Sequence, residues 1–112
     1  MVHKERIAHE ENFKGGKGPI TFYHILEKED FYGHARLYAR IVLPPGSSIG
    51  WHVHEHETEP FYILSGAGDF IEASGRTRVG PGDVCTIKPG EGHSIENTGS
   101  EDLVFMALVY ND

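Results

Sequence analysis

The chain has 112 residues and a formal net charge of -7, from 17 acidic and 10 basic side chains. That length builds one domain around one modest core. The acidic balance excludes the basic footprint of non-specific nucleic-acid binding and disfavours an anionic membrane surface, and no apolar run approaches the roughly 18 residues of a membrane span.

Residues 1–14, MVHKERIAHEENFK, are polar and charged. They lack the apolar stretch of a secretory signal and read as a peripheral or mobile arm, ahead of a domain covering 15–112. A cytoplasmic location is expected. The single cysteine, Cys85, fits a reducing compartment, and its apolar setting VCTI predicts a small core residue rather than a nucleophile.

GGKGP (15–19) is a breaker, and ITFYHIL (20–26) reads as a strand. After the loop EKEDFYGH comes ARLYARIVL (35–43), a long strand closed by PPG. SIGWHVH (48–54) and PFYILSG (60–66) flank a short acidic turn. AGDFIEA (67–73) and RTRVG (76–80) flank Ser74-Gly75, a two-residue hairpin signal. GDVCTIK (82–88), HSIEN (93–97) and LVFMALVY (103–110) complete the strands. Glycine and proline punctuate the chain every eight to twelve residues or so, and no long segment has a helical period. The pattern predicts an all-β sandwich or barrel.

Two strands carry further expectations. LVFMALVY is apolar on both faces, so one face packs on the core and the other on a second subunit, making a homodimer. ARLYARIVL puts Arg36, Tyr38 and Arg40 on one face and Leu37, Ala39, Ile41 and Leu43 on the other. If the first face points inward, Arg40 can pair with a ligand carboxylate; otherwise it is a solvated cation. Tyr23 either lines the pocket or merely packs.

The stretch HVHEHETE (52–59) is either a ligand cluster or a polar, solvated loop. His52 and His54 share a strand face with Cα atoms roughly 6.5 Å apart, close enough to share an ion. Glu59 lies at an odd offset from His54 and needs a hairpin at 55–58 to return to them. His93 starts a strand after the turn PGEG and could swing inward. Three imidazoles and a carboxylate suit manganese, iron, nickel or zinc. His3, His9, His24 and His34 read as solvated surface residues, and His56 as exposed in the turn.

These residues resemble the two motifs of the cupins. Gly46, His52, His54, Glu59 and Gly66 match the first without a gap, and Gly82, Gly90, His93 and Asn97 match the second. Lys88 stands where the second motif has proline, with Pro89 beside it, and 15 residues separate the motifs. The resemblance implies a single-domain double-stranded β-helix, or jelly-roll barrel. It places a divalent metal ion, manganese before iron, nickel or zinc, on His52, His54, Glu59 and His93. Two open positions on that ion would accept a bidentate small carboxylate; a closed tetrahedral zinc would instead be structural.

Within the cupins the chain resembles short bacterial members labelled oxalate-decarboxylase-like. That activity uses an arginine three residues before the first motif histidine, where this chain has Ile49, and a lid glutamate that has no match here. Arg40 is the candidate substitute. The expected function is therefore a metal-dependent cupin holding a small carboxylate, with manganese- or iron-dependent decarboxylase or dioxygenase chemistry as its enzymatic form. A non-catalytic acid- or sugar-sensing cupin is the alternative. A phosphosugar isomerase-like cupin would have only Arg76, Arg78 and Lys88 for the phosphate.

Overall fold

The computed structural model describes residues 1–112. Its strands are β1 (Arg6–Glu11), β2 (Pro19–His24), β3 (Ala35–Leu43), β4 (Ser48–Val53), β5 (Glu57–Thr58), β6 (Phe61–Ser65), β7 (Gly68–Glu72), β8 (Gly75–Val79), β9 (Val84–Cys85), β10 (Gly92–Glu96) and β11 (Leu103–Asn111). Every pairing is antiparallel. The larger sheet runs β1-β2-β3-β11-β6-β9, with β5 also on β11; the smaller runs β4-β10-β7-β8. The two face each other as a jelly-roll, the double-stranded β-helix expected from the sequence. No helix is long and apolar enough to cross a membrane.

Strand alternation fills the space between the sheets. From the larger sheet, Ile20, Phe22, Ala39, Ile41, Leu43, Phe61, Ile63, Leu103, Phe105 and Ala107 are buried; Ile49, Phe70, Val79 and Ile95 meet them from the smaller. The odd positions of β3 and β11 therefore face inward. Cys85 joins this core, as its apolar flanks predicted. Burial pushes its thiol up to about 11, reinforced by the nearby Asp83 and Glu72 carboxylates. The expected strand over 82–88 shrinks to Val84–Cys85.

Residues 6–11, read from sequence only as part of an arm, pair along their whole length with β2. The segment stays peripheral, since β1 is an edge strand and all but Ala8 are exposed. Register explains why it matters to the interior. Ala8 sits opposite Phe22 and Glu10 opposite Ile20, so these side chains share the inward face of β2.

A tight turn at 13–15 follows β1. Asn12 and Lys14 both adopt positive φ, at 52° and 55°, a region that non-glycine residues rarely occupy. The turn is braced from several sides. Asn12 and Gly18 exchange two hydrogen bonds, Asn12 N–H to Gly18 O and Gly18 N–H to Asn12 Oδ1, both 3.1 Å. Ser48 N–H donates to Lys17 O at 2.8 Å. Gly16 crosses Gly50 of β4 so closely that a Cβ on either would overlap backbone atoms across the gap.

Candidate metal centre

Two local features aim the first histidine pair. Between β10 and β4 the register shifts: His93 pairs with His52, but Ile95 pairs with Ile49. Two steps along β10 thus match three along β4, a β-bulge at Gly50-Trp51. The extra residue lets both Ile49 and His52 face inward while Trp51 and Val53 stay exposed. His54, just past β4, is tied to the PGEG turn: Gly90 N–H donates to His54 O at 2.7 Å, and His54 N–H to Glu91 O at 3.2 Å. Gly90 has φ of 90°, which a side chain there would resist. This turn delivers His93, fully buried, into the same space.

Glu59 arrives differently from the hairpin that its offset demanded. Chain reversal occurs at Glu55-His56, with His56 at φ 61° and exposed. The residues beyond this reversal do not pair back on β4. Strand β5 pairs with β11, so the chain crosses from the smaller sheet to the larger. Glu59 therefore reaches the histidines from the opposite layer.

The four side chains meet. One ligand atom from each of His52, His54, Glu59 and His93 lies within 4.8 Å of all the others. Glu59 Oε1 is 3.0 Å from His54 Nε2, 3.1 Å from His93 Nε2 and 3.5 Å from His52 Nε2. His52 and His93 bring their Nε2 atoms to 3.2 Å. Phe61 stacks on the His93 ring at 4.9 Å, fixing its plane.

The protons of this cluster can be placed. His52 Nδ1 donates to Gly50 O at 2.8 Å, because a carbonyl can only accept. His54 Nδ1 donates to Glu57 Oε1 at 2.8 Å. Arg36 donates to the same carboxylate twice, Nε to Oε2 at 2.8 Å and Nη2 to Oε1 at 2.6 Å. That guanidinium, helped by His54, holds Glu57 down at about 2. In their neutral forms both His52 and His54 then point Nε2 lone pairs at an anionic oxygen. Only a shared cation resolves that arrangement.

Without a metal the cation is a proton. Hydrogen bonding to Glu59 raises His54 against the opposing cost of burial, with Glu57 adding to the rise. Burial pushes Glu59 up, but hydrogen bonds from His52, His54 and His93 outweigh it and hold the carboxyl well below its usual range. Burial lowers His93, whose Nδ1 is the buried side-chain atom without a partner. Three borderline nitrogens, one hard anionic oxygen and fixed outer partners fit a first-row divalent ion.

Three of the four, His52, His54 and Glu59, line a pocket of about 260 Å³, with His93 buried behind them. Ile41, Ile49, Phe22, Leu37 and Val109 make its apolar walls. Its rim carries Glu10 from β1, Phe13 and Lys14 from the braced turn, His24 from β2 and Arg36 from β3. The volume lies below the roughly 300–1,000 Å³ typical for drug-sized ligands.

Arg40, the sequence's candidate for a ligand carboxylate, lines no part of this pocket. Inward burial of Ala39 and Ile41 turns it to the outer face, where its guanidinium lies 3.9 Å over the Tyr23 ring and pairs with Glu5 at 3.2 Å. Tyr23 packs there rather than in the pocket. Sequence reasoning missed Lys14, His24 and Arg36 as rim residues. The inward parity of Ile20 and Phe22 was the available signal for His24. Arg76, one of three cations considered for a phosphate, is already paired with Asp69 and Glu96.

Residues 39–109 match the family model described as the cupin domain. The chain is 50% identical over 108 residues to the oxalate-binding protein of Thermotoga maritima, covering 96% of this chain and 87% of that one. It superposes on the crystal structure of a predicted oxalate decarboxylase from Thermotoga maritima with a TM-score of 0.94 and 44% identity, over 100% of both chains. The polyketide cyclase RemF of Streptomyces resistomycificus shares the fold at a TM-score of 0.76 and 21% identity, covering 99% of this chain and 83% of that one.

Proposed function

The chain belongs to the cupins, and from that premise we propose that it binds a small dicarboxylate of the oxalate class on a divalent metal ion held by His52, His54, Glu59 and His93. The observation that carries the reading is three imidazole nitrogens crowded around one buried carboxylate oxygen at the foot of a small pocket. The oxalate-binding relative supports the ligand class. Manganese is the proposed ion, with iron, nickel and zinc as alternatives.

When bound, the ion supplies a Lewis acid and a template for the two oxygens of a chelating ligand. The chain's own residues do the rest. Glu57 and the Gly50 carbonyl hold the Nδ1 protons of His54 and His52, keeping both Nε2 atoms turned to the site. Phe22, Ile41 and Ile49 exclude water around the ligand and limit its length.

Turnover of the same ligand is a second reading, favoured by Glu10 and His24 on the rim. Decarboxylation breaks the oxalate C–C bond and places a proton on the carbon that remains, and these two groups can carry one. A homodimer through the outer face of the larger sheet, where Tyr62, Val84, Met106 and Leu108 form an apolar hollow, completes the proposal.

Calorimetry with manganese-loaded protein and oxalate, followed by product analysis, tests the reading. Metal-dependent binding without formate is the expected result for a binding cupin. Formate and carbon dioxide would select the decarboxylase, and no binding at all would remove oxalate. Sedimentation of the loaded protein checks the dimer.

A further inference from the structure

A dicarboxylate at this site raises a charge problem that the four ligands do not solve. A divalent ion with one carboxylate ligand leaves a single positive charge. A bound dicarboxylate turns that into a single negative charge in a pocket with apolar walls. Some cation on the rim has to answer it.

Two permanently cationic residues reach the rim, Arg36 and Lys14. Arg36 is committed to Glu57 by both of its short hydrogen bonds, and Glu57 is in turn committed to His54. Taking Arg36 for the ligand would unlock a metal ligand. His24 is pushed toward neutrality by its burial, with Arg6 adding to the effect. The Lys14 ammonium has no ion pair or hydrogen bond. It lies 5.6 Å over the Phe13 ring, and that ring lines the pocket and packs edge-on against Phe22 at 5.1 Å.

The backbone under Lys14 is also held in an uncommon way. Its positive φ, the crossing of Gly16 with Gly50 and the bonds to β4 fix Lys14 beside the bulge that aims His52. Strain retained against such bracing marks functional positions.

We propose that Lys14 is the anchor for the carboxylate oxygens of the chelated ligand that face away from the ion, setting the site's preference for dianions over monoanions. The inference rests on the dicarboxylate reading above. A lysine suits the task as a mobile point charge on a long stem, able to settle over ligands of slightly different length.

The test is titration calorimetry of manganese-loaded wild type, Lys14→Met and Lys14→Arg with oxalate and with oxamate, which chelates similarly but carries one charge fewer. Manganese affinity of each variant is measured separately. Lys14→Met should weaken oxalate by about tenfold or more, the size of one charge-assisted hydrogen bond, and oxamate by no more than about threefold. Lys14→Arg should stay within about threefold of wild type for oxalate, and manganese affinity should not move.

Unchanged oxalate affinity in Lys14→Met overturns the assignment and leaves Lys14 a solvated lysine. An Arg36→Met variant that retains manganese but loses the oxalate preference also overturns it, giving the role to Arg36. Failure of the loaded wild type to bind oxalate would overturn the dicarboxylate reading itself, and this inference with it.

Discussion

Glu57 Oε1 lies 2.8 Å from His54 Nδ1, on the side of the ring away from the other ligands. The carboxylate's other hydrogen bonds are both from Arg36, so one buried-edge carboxylate links a rim cation to a histidine of the candidate metal cluster. Such outer partners fix ring orientation and raise ligand basicity. Glu57→Ala should therefore lower metal affinity by about 10–100-fold without removing a ligand. Competition with a coloured chelator measures this, and an unchanged affinity would show that the contact is incidental.

Removing a ligand should be more severe. His54→Ala and Glu59→Ala should each abolish stoichiometric manganese, read by elemental analysis after gel filtration. Full loading in both variants would sink the proposed ligand set.

Metal affinity should climb with pH. The His54 pKa is raised above 6.5, chiefly by its hydrogen bond to Glu59, so below that raised value a proton holds the place of the ion. Binding expels that proton, so affinity should rise with pH until the raised His54 value is passed and level off above it. Metal-free stability has the opposite sense for this residue: its contribution is full below 6.5 and lost as pH rises through the raised value. Glu57, held at about 2 by Arg36, contributes above 4.5 and loses its contribution only as pH falls toward 2. Chelator competition across the pH range, with thermal melts of the metal-free protein, separates the two slopes.

Cys85 should be inert in the folded protein. Burial and nearby carboxylates raise its thiol to about 11, leaving little thiolate at about pH 8. A thiol reagent should react stoichiometrically in denaturant and negligibly without it. Rapid native labelling would place Cys85 outside the core.

Gly50→Ala should cost about 1–3 kcal/mol, since the new Cβ would overlap the Lys14 carbonyl and force the 13–15 turn away from β4. Gly80→Ala is the control. Its Cβ would come no nearer than 3.9 Å to any neighbour, so a change within about 0.5 kcal/mol is expected. Denaturant melts of the two variants give the comparison.

The four side chains that meet were legible from the two motifs, although the crossing that brings Glu59 in from the other sheet was not. His52 and His54 share a face by strand parity, and glycines bracket the segments that carry Glu59 and His93. Strand β3 was legible over its whole length for the same reason, a clean alternation from Ala35 to Leu43. The pocket rim was not. Arg36 and Arg40 have the same parity, yet Arg36 at the strand's start reaches Glu57 while Arg40 turns out to Glu5. Lys14 and Glu10 reach the rim through the β1-β2 register and a glycine crossing, contacts between segments far apart in sequence. The bulge at Gly50-Trp51 was equally hidden, because a bulge is defined by its partner strand.

The passage of the chain from β4 to β5 puts His52, His54 and His93 on one layer and Glu59 on the other. An ion held by both layers is a clasp across the open end of the sandwich. Ligand binding of this kind stabilises the folded chain by mass action. A metal-starved cell would therefore hold copies that open more often at that end and meet proteases sooner. Metal supply would then govern how long the protein lasts as well as how much ligand it holds.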